Sequence, residues 1–484
     1  MTRHILTICV LSVASLSAQA PQGQQQPSDF KGVVRKNLAP ISNEILRVKF
    51  PKPTETKLKN GMTLLVIEDH RSPTISVEIA MPFSGLNEPM ESYGLSSATA
   101  EMLTLGTKTL NAREIAEKLA DLGASMGAST GERYSYIRFS GLTENLDPLI
   151  ALLQDVLLNP SFPQDELDKW KARMLANLKV ARSQPQFLAA ERFQAVLYPS
   201  DIRAMIAPTP ESIAKITREA VVEFYNKNFR PDGGLVAVSG DTSAKQIAAK
   251  LDSILGEWKG APPKQPDLPM REAIAEKKIY LIHRPNSVQT IFNIGNRAID
   301  RRSPDYIPAM VMNRVLGQGP AARLFRNIRE DKGYTYGIGS NFSASHFRNH
   351  FQLDTSVRTE VTGPALEEIL KEFRDIRDRG VPAEELDLAK RALVASFALG
   401  TESPAMAIRN ALTIREYGFP ADYWDTYPEK VMKVTTEDVQ RVAKKYVPMD
   451  NLQIIAVGDA AKIRETLAKF GPVEEWDAEG QKVK

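Results

Sequence analysis

The chain contains the stretch Leu235-Val-Ala-Val-Ser-Gly240-Asp241, and a similar stretch, Leu452-Gln-Ile-Ile-Ala-Val-Gly458-Asp459, ends 218 positions later. Both are apolar runs of strand length that close on a glycine and an aspartate. Two further pairs recur at the same spacing to within one position: Ile216-Thr-Arg-Glu219 with Val434-Thr-Thr-Glu437, and Glu166-Leu-Asp168 with Glu385-Leu-Asp387. The units of a solenoid span about 20–50 residues, so a period of this length predicts duplicated domains.

A proline-rich segment separates the two copies. Four prolines fall within the eight residues from Pro262 to Pro269, a density that neither a helix nor a central strand tolerates. We therefore predict a linker over residues 260–276, between a first domain over 51–259 and a second over 277–484. A chain of 484 residues is also too long for one ordinary core.

Each copy mixes strand patterns with amphipathic helical patterns. Residues 62–67, 74–79 and 136–139 have the composition of strands, whereas Asn111 and Glu114 form a capping box before a helical run. Strands and helices cluster along the chain and do not alternate strictly. The predicted fold class is therefore α+β, with two duplicated domains that the linker joins into a clamshell. Each domain is expected to be a mostly antiparallel sheet layered with helices.

The first 20 residues differ in kind from the rest. An apolar run over residues 5–16 follows Arg3, and Ala18 and Ala20 give the small-residue spacing of a signal-peptide cleavage site. We predict a signal peptide over 1–20, a polar extension over 21–50, and export to a periplasm. The alternative is a membrane anchor, but the run is shorter than the roughly 20 residues that a spanning helix needs. The single cysteine, Cys9, would leave with this segment.

Composition and charge exclude several classes of function. Apolar residues make up 43% of the chain and charged residues 25%, as in ordinary globular proteins, so no transmembrane segment is expected after signal removal. The net charge of +3 is too balanced to predict a phosphate-binding surface. Nucleic acid is therefore not an expected partner.

A second informative stretch reads Tyr93-Gly-Leu-Ser-Ser-Ala-Thr-Ala-Glu-Met-Leu-Thr-Leu-Gly-Thr107. It resembles the pitrilysin/insulinase-like zinc peptidase family, which includes the mitochondrial processing peptidases. That family carries a helical His-x-x-Glu-His motif between a glycine and a closing Gly-Thr. The alignment rests on Gly94 and Gly106, and the three motif positions then hold Ser97, Ala100 and Glu101.

The zinc ligands that the resemblance implies are therefore missing. A zinc site needs imidazoles, thiolates or carboxylates that converge on the ion, and a hydrolase also needs a general base. The third ligand of the family is a glutamate on a later helix, and its position falls at about Asn177. Glu101 alone cannot hold a catalytic metal, so we expect no metal in this chain. The helix would instead be kept for burial through Leu95, Ala98, Met102 and Leu105.

Two other histidines have the spacing of a zinc motif. His346 and His350 stand four residues apart, but Asn349 occupies the place of the glutamate in an inverted motif. Strand-like residues flank both sides, which predicts a hairpin tip in place of a helix. Metal binding here is the weaker alternative.

The second copy carries its own signature between Leu316 and Tyr336. In the family, an arginine and a tyrosine contact the substrate and stabilise its reacting carbonyl. Arg329 and Tyr336 have the same spacing as that pair. A guanidinium and a phenol are hydrogen-bond donors suited to an oxyanion. The resemblance also implies that Gly317 and Gly319 form a substrate-binding turn. The alternatives are an arginine and a tyrosine in ordinary packing, and glycines in a plain turn.

The resemblance implies a function in two-subunit peptidases. One subunit of such enzymes binds zinc, and the other lacks it but closes the peptide chamber. We expect this chain to be the zinc-free subunit, inactive alone and without a cofactor, with a homologous zinc-bearing partner and a peptide substrate. A non-catalytic binding or assembly protein is the alternative. A hydrolase using Ser96 or Ser97 is disfavoured, since neither has a nucleophile elbow or a paired histidine.

Overall fold

The two copies of the repeat form two six-stranded sheets. The computed structural model describes residues 52–266, 268–401, 404–447 and 449–483, so the predicted signal peptide and polar extension lie outside the described residues. The first sheet has the strand order β1-β2-β6-β3-β5-β4, and the second has the order β12-β7-β11-β8-β10-β9.

The described strands divide evenly between the sheets. The first sheet contains β1 (Thr54–Lys57), β2 (Thr63–Glu68), β3 (Thr74–Met81), β4 (Ser125–Thr130), β5 (Ser135–Leu142) and β6 (Leu235–Gly240). The second contains β7 (Lys278–His283), β8 (Gln289–Arg297), β9 (Thr335–Ala344), β10 (Asn349–Arg358), β11 (Gln453–Gly458) and β12 (Val473–Trp476).

Helices follow the strands in both copies. Those before the linker are α1 (Leu95–Met102), α2 (Ala112–Asp121), α3 (Leu146–Leu158), α4 (Gln164–Ser183), α5 (Pro185–Leu197), α6 (Pro210–Lys215), α7 (Arg218–Asn228) and α8 (Ala244–Leu255). Those after it are α9 (Tyr306–Leu316), a π-helix (Phe325–Asp331), α10 (Thr362–Asp378), α11 (Ala383–Gly400), α12 (Pro404–Tyr417), α13 (Tyr427–Met432), α14 (Thr436–Tyr446) and α15 (Ala460–Ala468). Short 3-10 turns lie at Gly85–Asn87, Met90–Ser92, Thr143–Asn145, Ile202–Ala204 and Thr359–Val361. None of the helices in these described ranges is long and apolar enough to cross a bilayer.

The repeated apolar run forms the corresponding inner strand of each sheet. β6 pairs in parallel with β2 and antiparallel with β3, and β11 makes the same two kinds of pair with β7 and β8. Every residue of β6 and of β11 is buried, because side chains pack on both faces of the sheet. Antiparallel pairs predominate in both sheets, so the predicted α+β fold of two duplicated halves is confirmed.

The two halves exchange one helix each. α5 precedes the linker, yet its Leu188 and Phe193 pack against Ile291 and Ile455 of the second sheet. In return, α12 packs its Ile408, Ala411 and Leu412 against Leu65 and Ala237 of the first sheet. The two helices begin 219 positions apart, so they are equivalent elements of the repeat. Each half also has a core of its own on the other face of its sheet.

Candidate functional site

The glycine before the metal-motif helix has a conformational role. Gly94 is the N-cap of α1 and has a φ of 107°, in the left-handed region that favours glycine. An added Cβ would lie 2.8 Å from Pro208 Cγ. The buried carboxylate of Glu88 accepts hydrogen bonds from the backbone N–H groups of Gly94 (2.9 Å) and Ser96 (2.5 Å). Burial raises the pKa of Glu88 to about 7, although these two hydrogen bonds oppose the increase.

The positions aligned with the zinc motif form a different arrangement on α1. Ser97 is exposed and Ala100 is buried, and neither a neutral hydroxyl nor a methyl group is one of the usual zinc ligands. The Glu101 carboxylate accepts a hydrogen bond from Nε1 of the buried Trp170 (3.0 Å) and forms an ion pair with the Arg173 guanidinium. Both partners belong to α4, so the contact joins the two helices.

This arrangement does not fit a zinc ion. Asn177 is exposed on α4, one turn beyond Arg173. Glu101 has the single carboxylate among the aligned positions, and that carboxylate is already paired with the Arg173 guanidinium. A guanidinium at this position would repel a metal ion. Across the described ranges of the chain, no group of three or more histidine, cysteine, aspartate or glutamate side chains could hold one.

His346 and His350, which stand four residues apart, lie at a hairpin, as predicted. His346 is in the turn between β9 and β10, whereas His350 belongs to β10. The His346 ring stacks on Tyr417 at 4.1 Å between centroids, and its Nε2 lies 3.3 Å from Nη1 of Arg133. Burial and the nearby Arg133 charge lower the pKa of His346 to about 4. His350 is also buried and meets Phe193 of α5 edge-on, so the two imidazoles pack in different surroundings.

The structure brings Arg329 and Tyr336 together. Arg329 lies on the π-helix, and Tyr336 is the second residue of β9. The Cζ atom of Arg329 is 4.8 Å from the centroid of the Tyr336 ring and 4.5 Å from that of Phe325. Tyr336 is 87% exposed, so its hydroxyl faces solvent. The pair is held by stacking, and its N–H and O–H groups can donate to an incoming acceptor.

The two glycines of this signature have structural roles near the same strand. Gly317 caps the end of α9 and is buried, and its carbonyl accepts a hydrogen bond from the Ser340 N–H (3.1 Å). A Cβ at this position would lie 2.8 Å from the Ser340 backbone nitrogen. Gly319 has a φ of 100°, which also favours glycine. Their role in substrate binding stays a prediction.

Sequence reasoning missed three residues of these sites. Phe325 stands four positions before Arg329, a helical spacing that places an aromatic ring beside a cation. Trp170 and Arg173 lie about 70 positions from Glu101, and no local pattern reveals that contact.

The fold is a duplicated α+β fold, and within the described ranges its residues form no cluster of metal-binding side chains. Two family models match this chain: "Insulinase (Peptidase family M16)" over residues 63–201 and "Peptidase M16 inactive domain" over residues 215–393. The chain belongs to peptidase family M16.

Relatives and solved structures agree with this assignment. The chain is 27% identical over 402 residues to a protein named non-peptidase homolog YmxG from Helicobacter pylori, covering 82% of this chain and 91% of the relative. It matches the crystal structure of a peptidase M16 inactive domain from Pseudomonas fluorescens with a TM-score of 0.77 and 25% identity, covering 84% and 98% of the two chains. The periplasmic protease PqqL from Escherichia coli shares the fold, with a TM-score of 0.71 at 16% identity over 90% of this chain and 49% of PqqL.

Proposed function

We propose that this chain is the zinc-free accessory subunit of a two-subunit metallopeptidase. One observation carries the proposal: the Glu101–Arg173 ion pair occupies the positions aligned with the zinc motif, whereas the side-chain donors of Arg329 and Tyr336 have no hydrogen-bond partner among the described residues. A half-buried guanidinium beside an exposed phenol offers hydrogen-bond donors to an incoming carbonyl oxygen, which supports a role in peptide cleavage. The reacting zinc would then lie in a homologous partner that carries His-x-x-Glu-His.

The chemistry of the pair suits this role. Zinc in the partner would polarise the peptide carbonyl and activate water, and the charge that develops on the carbonyl oxygen needs hydrogen-bond donors. The Arg329 N–H groups and the Tyr336 O–H group are such donors. In this proposal the active site is divided between two chains: the partner holds the zinc, and this chain supplies Arg329 and Tyr336.

The similarity to other family members supports this proposal. The Helicobacter pylori relative is named a non-peptidase homolog, and the Pseudomonas fluorescens structure is described as an inactive domain. An exported location is part of the proposal, since the periplasmic protease PqqL has the same fold and residues 1–20 have the pattern of a signal peptide.

Reconstitution tests the proposal. The chain would be mixed with a family member that carries His-x-x-Glu-His and is encoded in the same genome, and peptide cleavage would be measured for each protein alone and for the mixture. We expect a stable complex whose turnover exceeds that of the partner alone by at least tenfold. A complex that forms without any gain in cleavage would contradict the proposal and favour a peptide-binding or assembly protein.

A further inference from the structure

The Arg329 guanidinium lies against two aromatic rings, one of which has no assigned role. The Tyr336 ring belongs to β9, and the Phe325 ring comes from the π-helix itself. Arg329 is half-buried by these contacts, although Tyr336 is strongly exposed. The guanidinium therefore has a defined orientation at the protein surface.

The π-helix is fixed on its inner side. Leu324 and Ile328 are fully buried in the core of the second half. Phe325 and Arg329 directly follow these two residues, so they lie together on the side of the helix next to its buried face. π-Helical turns frequently occur at functional sites, and this one directs Phe325 and Arg329 toward β9.

Polar contacts hold the same segment to two neighbouring helices. The Asn327 side-chain amide donates to Glu368 (3.0 Å) and Glu372 (2.7 Å) of α10. Arg323 forms a two-pronged ion pair with Glu385 of α11, at 2.9 and 2.6 Å. None of these anchors contacts the Arg329 side chain.

Stacking restrains the guanidinium without using its donors. An arginine side chain has many rotamers, and an aromatic face limits them through cation–π attraction. The five N–H groups lie in the plane of the guanidinium, so its edges stay free to donate. Within the described residues, no acceptor receives a hydrogen bond from the Arg329 guanidinium.

We propose that Phe325 is the positioning residue for Arg329: its ring holds the guanidinium against Tyr336, with the N–H edge presented to a substrate carbonyl. The catalytic consequence of this inference rests on the proposed function. The packing role of Phe325 does not. Phe325 touches no reacting atom and acts through Arg329.

The first test uses the isolated chain and needs no activity. The Nε–H resonance of Arg329, assigned through its loss in Arg329→Lys, should show the 15N relaxation of a restrained side chain. Phe325→Leu keeps an apolar side chain but removes the ring, so we expect the Nε–H group to relax like that of a mobile, solvent-exposed arginine. Phe325→Tyr should keep the restrained relaxation. Unchanged relaxation of this resonance in Phe325→Leu would overturn the positioning role, whatever the function of the chain.

The second test uses the reconstituted complex with the zinc-bearing partner. A lost cation–π contact corresponds to roughly a two- to fivefold effect, so Phe325→Leu should lower kcat and kcat/KM together by about that factor, and Phe325→Tyr should restore both. Phe397→Leu is the matched control, because it removes a ring that stacks on Trp424 without contacting Arg329. Normal turnover in Phe325→Leu beside slow turnover in Arg329→Ala would contradict the inference. Normal turnover in Arg329→Ala would instead contradict the proposed function and leave the resonance to decide the inference.

Discussion

Glu101 is the one acidic residue at the aligned zinc positions, and its contacts give it a structural role. The Glu101 carboxylate attracts a positive charge, and the Arg173 guanidinium supplies that charge from within the chain. The Arg173 side chain is 45% exposed, so the ion pair itself adds little stability. The hydrogen bond from the buried Trp170 fixes the carboxylate between the two helices.

The absence of a metal is testable at this residue. We expect the purified chain to contain no stoichiometric zinc by elemental analysis. Added zinc should leave its thermal unfolding midpoint unchanged, because a ligand raises stability only if it binds the folded state. Glu101→Gln should change the free energy of unfolding by about 1 kcal/mol or less, again without a zinc effect. One zinc per chain, lost in His346→Ala, would instead make the hairpin histidines a metal site.

At the scale of elements, the sequence predicts the helices, caps and hairpins whose formation depends on residues close together in the chain. The burial of α1, the capping box at Asn111 and the hairpin at His346 follow from residues a few positions apart, and the last two are confirmed. On α1 the predicted burial holds for Leu95, Ala98 and Met102, whereas Leu105 lies beyond the end of the helix and is only partly buried. The exchange of α5 and α12 could not be predicted, because an amphipathic pattern shows that a face is buried but not which sheet covers it. The Glu101–Arg173 contact has the same long-range character.

The start of α1 should make stability depend on pH through Glu88. Its folded-state pKa of about 7 exceeds the ordinary glutamate value of 4.5, so the folded state binds the proton more tightly than the unfolded state does. The stabilisation is fully present below about pH 4.5 and is lost as the pH rises toward 7. The predicted loss is about 3 kcal/mol for a shift of this size.

The measurement is the difference between Glu88→Gln and wild type in urea unfolding at pH 5 and pH 7.5. His346 and His350 act in the opposite sense in this window, since burial lowers their pKa values and their protonation destabilises the fold as the pH falls. The difference between the two proteins cancels those contributions. We expect the variant to gain stability relative to wild type as the pH rises, and a constant difference would contradict the role of Glu88.

At the scale of the whole molecule, the exchanged helices should make the two halves unfold together. Phe193 of α5 is fully buried against the second sheet, so Phe193→Ala should lower the free energy of unfolding by about 3–5 kcal/mol. Amide hydrogen exchange should then accelerate in both β6 and β11. Val180→Ala, at an exposed position of α4, is the control with little expected effect. Loss of protection in one half alone would show that the halves are independent.

The export of the chain is a separate prediction about its first residues. Residues 1–30 fused to a reporter should carry it out of the cytoplasm and should be shortened by cleavage, because an apolar run of this length suits a signal peptide. A full-length fusion that stays with the membrane would contradict this prediction and favour an anchor.

At the scale of the whole complex, the proposed activity depends on the two halves of one active site lying on different chains. Tyr336 offers the cleanest probe, because its side chain is exposed and Tyr336→Phe removes only the hydroxyl while keeping the ring against Arg329. Tyr225→Phe is the matched control, since it removes a hydroxyl that donates to the Leu157 carbonyl (2.6 Å) in the first half. That control should lower stability by about 1 kcal/mol and leave turnover unchanged.

The most direct measurement is therefore the kcat of the complex between Tyr336→Phe and the zinc-bearing partner, at equal complex concentration with wild type. Loss of one oxyanion donor typically lowers kcat by about 10²–10³, so we predict a fall of that size with normal assembly. Assembly followed by cleavage at the wild-type rate would contradict the account, because the Tyr336 hydroxyl would then take no part in the reaction.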